Sequence, residues 1–141
     1  MDLSLIVARL KTELTALRSV GASADLDAAI EGAVAMPSAF VLPLAESAQD
    51  LGMSGSTGQA IAQAFGVLHV VSNKRDAQGG AALDDLKTHR LALRQALVGW
   101  VPSEANGEPV TFTCGRLLRL DGDGRLWWID EFALKTFYWS P

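Results

Sequence analysis

From Leu3 the apolar residues recur as Leu3, Ile6, Val7, Leu10, Leu14 and Leu17, the three- and four-residue spacing that lays one stripe along a helix. Asp2 stands where an N-cap belongs, and Gly21 lies just past an expected stop at Arg18 or Ser19. The pattern then changes. Residues 22–38 are small and acidic, with Asp27-Ala28-Ala29-Ile30-Glu31 suited to one or two helical turns before Gly32, and Pro37 closes the segment. Phe40-Val41-Leu42-Pro43-Leu44 reads as a short strand, with Pro43 at an edge position or at the strand end because proline has no N–H for a ladder. Residues 45–58 are rich in Ala, Ser, Gly and Gln and lack any period, which predicts a mobile loop.

After that stretch Ile61, Phe65, Val67, His69 and Val71 alternate with Ala62, Ala64, Gly66, Leu68 and Val70, a long strand with apolar groups on both faces. Ser72 to Asp76 and Gly79-Gly80 form the turn into a second helix. Its stripe is Ala82, Leu86, His89, Leu93, Leu97 and Trp100, with Gly99 at the cap. Val110, Phe112 and Cys114 then alternate, Gly115 interrupts, and Leu117, Leu118 and Leu120 lead to a hairpin turn at Asp121-Gly122-Asp123-Gly124. The return strand runs from Leu126 towards Trp139. This order predicts an α+β fold over residues 1–141, a single domain built as a two-layer sandwich. Its sheet is mainly antiparallel, with two helices packed on one face.

Composition narrows the function. A chain of 141 residues buries enough surface to fold without metal or disulfide, and 12 Lys+Arg against 16 Asp+Glu argue against binding nucleic acid by neutralising phosphates. The acidity belongs to the first half: residues 1–70 carry Arg9, Lys11 and Arg18 against Asp2, Glu13, Asp25, Asp27, Glu31, Glu46 and Asp50, while residues 71–141 balance. The one cysteine, Cys114, has no partner for an internal bridge, which fits a reducing, cytoplasmic setting. The opening residues lack a basic stretch before their apolar ones and make a poor signal peptide, and no apolar run is long enough to span a membrane.

Enzymatic chemistry finds few residues to carry it. His69 sits in a strand alternation and His89 on a helix stripe, so both read as core or interface histidines rather than bases beside a nucleophile. Asp121 and Asp123 resemble the start of a calcium loop, but position twelve is Phe132 rather than Glu, so a hairpin turn is the better reading. Asp130 and Glu131 are strand neighbours that point to opposite faces, and read as solvated or ion-paired. Gly52, Gly55 and Gly58 belong to no phosphate loop, since no Gly-Lys-Ser/Thr follows. Lys74-Arg75 and Arg116 with Arg119 form small basic clusters, a solvated face or a surface for an acidic partner. Cys114 reads as a small buried hydrophobe. No catalytic, cofactor or metal residue is assigned.

The C-terminal strand carries the strongest signal. Three of the four tryptophans, Trp127, Trp128 and Trp139, fall in the last fifteen residues. Alternation puts Trp127, Ile129, Phe137 and Trp139 on one face and Trp128, Phe132, Leu134 and Tyr138 on the other. One face of a two-layer sheet meets the helices, so aromatics on the second face point to a partner, with a barrel or a third layer as the alternative. Trp127, Phe137 and Trp139 are the suspected subunit interface.

The chain resembles the tail terminator proteins of long-tailed bacteriophages, the group around the lambda minor tail protein U. The likeness rests on the opening helix Leu3 to Leu10, on Ala28 to Gly32 leading to Pro37 to Glu46, and on the strand Gln63 to Val67. The closing hairpin completes it, with Arg116-Leu117-Leu118 and Leu126 to Phe132. The resemblance implies a structural protein, not an enzyme, that forms a homohexameric ring on the finished tail tube, stops tube polymerisation and offers a surface to the head-tail connector. It implies a head-proximal place in the virion tail, assembly in the host cytoplasm, and DNA passing through the ring without specific binding. No cofactor and no membrane enter. Two alternatives stand beside it: a neck or head-completion subunit of the connector, and, from a different class, a small-ligand-binding regulatory domain with residues 45–58 as its lid.

Overall fold

A computed structural model of the chain describes residues 2–30, 35–72, 80–102, 108–120 and 124–140. The first helix, α1 (Leu3–Glu13), is capped by Asp2, whose carboxylate accepts from the Ser4 N–H at 2.9 Å. It ends about a turn earlier than the apolar stripe implies. The stripe itself continues, because Leu14 and Leu17 still pack on the core from irregular backbone. The chain there turns into a strand that the sequence reading missed, β1 (Ser19–Ala22), followed by the short α2 (Leu26–Ile30).

The largest departure concerns residues 45–58. They are not a loop: β2 runs from Ser38 to Asp50 and β3 from Thr57 to Ser72, joined by a tight connection at residues 51–56. Gly52 and Gly55 take φ of +71° and +78°, Asp50 accepts from the Gly52 N–H, and the Leu51 N–H reaches the Gly58 carbonyl at 2.9 Å. Pro43 sits where β2 bulges, at an edge that β1 leaves uncovered, since β1 pairs in parallel only with Ser38 to Val41.

The second long helix, α3 (Gly80–Leu97), buries Ala82, Leu86, His89, Leu93, Ala96 and Leu97. Gly99 follows it at φ +85°. The strands β4 (Thr111–Leu120) and β5 (Arg125–Ser140) complete a five-stranded sheet in the order β1-β2-β3-β5-β4, antiparallel except for β1 with β2. Gly115 does not break β4. The expected turns at residues 73–79 and at Asp121 to Asp123, the calcium-like reading of the latter, and the basic pair Lys74-Arg75 lie outside the described residues.

The architecture is an α+β sandwich. On one face α1 and α3 cover Ala39, Val41, Phe65, Val67, Phe132 and Leu134, where the Phe65 and Phe132 rings stack at 5.5 Å. Alternation sends Phe40, Leu68, Val70, Trp127 and Ile129 to the other face, where Leu26 of α2 and Met36 pack over them. The second face therefore has a small core of its own at one end of the sheet.

Candidate assembly surface

The helices cover only half the sheet's length. β1 pairs no further than Val41 and β4 reaches β5 only as far as Ala133, so beyond those points β2, β3 and β5 continue as a three-stranded arm. Every residue of β2 from Pro43 to Asp50 is exposed. Where no other described element covers the sheet, its apolar groups stay in water unless something docks there.

One face of the arm is a flat apolar platform. Gly58, Ala60 and Ala62 of β3 stand opposite Trp139, Phe137 and Lys135 of β5. The Phe137 and Trp139 rings lie nearly parallel with centroids 6.4 Å apart. Gly58 admits this arrangement because it has no side chain: a Cβ there would fall 2.6 Å from Cζ3 of Trp139, with Met53 pressing from the tip. Trp139 remains 56% exposed and Met53 45% exposed. The opposite arm face presents Ile61, Thr136 and Tyr138.

The three suspected interface residues are thus separated. Trp127 is 4% exposed, buried in the chain's own second-face core with the Arg125 guanidinium 5.2 Å from its ring. What stays open is part of the wall of a pocket beside Leu26 and Leu118, and most of its large apolar area belongs to folding. Phe137 and Trp139 stand together on the arm, joined by Met53, which the sequence reading did not single out. The signal that would have found Met53 is the hairpin register: a six-residue connection sets it beside Gly58, and Gly58 pairs with Trp139.

Charged residues do structural work nearer the helices. Asp130 is fully buried in β5 beneath α3. Its carboxylate accepts from Arg90 Nη2 at 2.9 Å and Nε at 3.1 Å, from Trp128 Nε1 at 3.0 Å, and shares a hydrogen bond with His69 Nε2 at 3.1 Å. The Arg90 guanidinium also lies 4.4 Å over the Trp128 ring. Burial pushes the Asp130 carboxyl up, but the hydrogen bonds from His69, Arg90 and Trp128 outweigh it and hold the group at about 2. Gly115 of β4 faces this cluster, where a Cβ would approach Arg90 Nη2 to 2.8 Å and the carboxylate more closely still. That contact, rather than a break in the strand, explains the glycine.

Asp130 is accordingly ion-paired and not solvated, and its neighbour Glu131 points to the other face, where Arg116 pairs with it at 3.3 Å. Cys114 donates its thiol to the same Glu131. It is half-buried and hydrogen-bonded rather than a buried hydrophobe, and that bond pushes the thiol pKa up, keeping it protonated. His69 is buried, with Nδ1 lacking a partner among the described residues. Burial, then the proximity of His69, push the His89 imidazole down against the pull of Asp85. No nucleophile stands beside either ring among these contacts. Residues 45–58, being strand and turn, supply no lid.

Among the described residues no helix is long and apolar enough to cross a membrane. No curated protein sequence matches the chain. Among solved structures it is similar to a chain in the virion of a native gene transfer agent particle, at 18% identity and a TM-score of 0.51. The match covers 97% of this chain and 87% of that one, a likeness of fold. The family model described as phage tail terminator protein matches residues 1–138, nearly the whole length. The chain therefore belongs to the phage tail terminator protein family, structural proteins of the phage tail.

Proposed function

We propose that this chain, acting as one domain, assembles into a homohexameric ring that caps the completed tail tube, stops its polymerisation and presents a surface to the head-tail connector. The observation that carries the reading is the bare arm, whose Phe137–Trp139 platform and Met53 leave apolar area in water on a chain of a tail-terminator family. A ring needs head-to-tail contacts that close, and an arm that reaches past its own core supplies one side of such a contact. The acidic first half of the chain fits a channel that DNA traverses without sticking, since like charges repel at short range. The ring sits at the head-proximal end of the tail, and its work is structural, with no catalytic step.

Tail length tests the capping role. Lysates that lack the protein yield overlong tails under this reading, whereas a neck or head-completion subunit leaves tails of normal length without heads. Mass-resolved chromatography tests the ring: with tail tube protein present, an assembly of about six copies of the 15.0 kDa chain is expected. A strict monomer at high concentration, alone and with tube protein, refutes it.

A further inference from the structure

Two surfaces of opposite charge lie at opposite ends of the fold, and neither is neutralised among the described residues. The first is the arm face that continues the helix-covered side of the sheet. There the register sets Glu46 of β2 opposite Gln63 and Asp50 opposite Gln59, with Ile61 and the half-exposed Tyr138 on the same face. Glu46 accepts from the Gln63 amide at 3.2 Å and Asp50 from the Gly52 N–H at 2.8 Å, and both residues are exposed. The lysine of the arm, Lys135, belongs to the other face with Phe137 and Trp139, so this face is acidic only. The second surface lies between α1 and β1. Leu3 stands beside Glu46 at the root of the arm, so α1 runs away from the arm. At its far end a concavity of about 520 Å³ is lined by Lys11, Leu14, Thr15, Leu17, Arg18 and Val20. Another, of about 370 Å³, shares Lys11 and follows α1 back past Val7 to Leu3, making one groove. No carboxylate lines either part, and Lys11 and Arg18 are exposed without an ionic partner among the described residues. A chain cannot fill its own groove: β1 begins beside Ser38, twelve strand residues from Asp50, on the order of 40 Å at about 3.3 Å per residue.

Charge decides between the ways these surfaces can meet in two copies. Arm face against arm face brings Glu46 and Asp50 against their own kind, and groove against groove does the same for Lys11 and Arg18; arm against groove sets opposite charges together. Arg9, Arg90 and Arg116 are already held by Glu13, Asp130 and Glu131, whereas Lys11 and Arg18 share one concavity and are free to take a carboxylate. Pairing two acids with two bases also leaves the acidic excess of residues 1–70 as it was.

We propose that the arm of one copy lies with its acidic face in the α1–β1 groove of the next, Glu46 and Asp50 against Lys11 and Arg18. This contact rests on the ring reading above and names its interface. It joins two different surfaces, the heterologous kind of contact from which a cyclic ring is built.

Charge swapping tests it. One variant carries Glu46→Lys with Asp50→Lys, the other Lys11→Glu with Arg18→Glu, and native mass is measured with tail tube protein present for each alone and for their mixture. All four side chains are exposed, and urea midpoints near the wild-type value show that each variant folds. Each variant alone sets like charges at every contact and is expected to need about tenfold more protein to assemble. The mixture is expected to assemble as the wild type does, with the two variants in equal number, because each basic arm then meets an acidic groove and each acidic arm a basic one. Variants that assemble singly as well as the wild type, or that stay apart in the mixture while wild-type chains form the oligomer, overturn the contact and leave the ring standing. A Lys11→Glu, Arg18→Glu chain that keeps the ring and loses the tube protein gives the groove to the tube, and overturns the contact as well. If the arm variant does not fold, Ala48→Cys and Thr15→Cys chains, each with Cys114→Ser, are mixed and oxidised; both positions are exposed. A disulfide-linked dimer with one chain of each kind is then expected, and its absence in a sample whose native mass shows the oligomer overturns the contact. Wild-type chains that form no oligomer with tube protein present overturn the ring reading and the contact together.

Discussion

Replacing Asp130 by Asn keeps the side chain's volume and removes its charge, which isolates what the ionised carboxylate does for α3. The folded chain holds that carboxyl at about 2 against an ordinary 3.8, a gap worth about 2 kcal/mol in favour of the folded state when the group is ionised. Because the folded value is the lower one, this stabilisation is present at neutral pH, starts to fade as pH falls below about 4, and is gone once pH drops below about 2. The substitution also leaves the Arg90 guanidinium short of its counter-ion. Arg90 keeps 21% of its side chain exposed and its stacking on Trp128, so that second loss is partial, and the total at pH 7 comes to about 2–4 kcal/mol. Urea unfolding followed by tryptophan fluorescence reads this as a midpoint lower by roughly 1–2 M with an unchanged slope. Repeated near pH 2, the two midpoints draw together, because the folded wild-type carboxyl is by then about half protonated and most of the stabilisation tied to its ionisation is lost. A variant that unfolds at the wild-type midpoint at pH 7, or a difference that stays constant down to pH 2, refutes the anchoring role.

Two further outcomes follow from the placement of the glycines and tryptophans. Trp127→Ala opens a cavity in the second-face core and is expected to lower stability by about 3–5 kcal/mol, whereas Trp139→Ala, more than half exposed, changes the monomer's midpoint by less than about 1 kcal/mol and weakens assembly instead. Thermal unfolding beside native mass measurement checks the pair, and a Trp139→Ala chain that loses its unfolding transition places that ring in the core. Gly115→Ala drives a methyl group against Asp130 and Arg90 and is expected to cost about 1–3 kcal/mol in urea unfolding, with the loss reduced in an Asp130→Asn background because the two changes strike the same cluster.

The sequence alone determined the elements whose signal is local. The stripe from Leu3, the cap at Asp2, the α3 stripe with Gly99 behind it, and the alternation in β3 and β5 each follow from a period of 3.6 or 2 and from turn chemistry. They were enough for the α+β class, and with the family likeness, for the kind of protein this is. Tertiary structure decided what had no local signal. Residues 45–50 and 57–60 are, apart from Thr57, small or polar residues (Ala, Ser, Gln, Gly, Glu46 and Asp50) that form strands poorly on their own, and they are strands because β5 pairs with β3 along its whole length and β3 templates β2. The four residues of β1 are too few to show a period and exist through pairing with β2. Alternation placed Trp127 and Trp139 on one face correctly, but a face is not an environment. Whether each ring meets a helix or water depends on where α2 folds back, and that short helix covers Trp127 and stops far from Trp139. Burial is a property of what arrives from elsewhere in the chain, so the three aromatics that the sequence groups together are divided by the fold into one core residue and two that face outward.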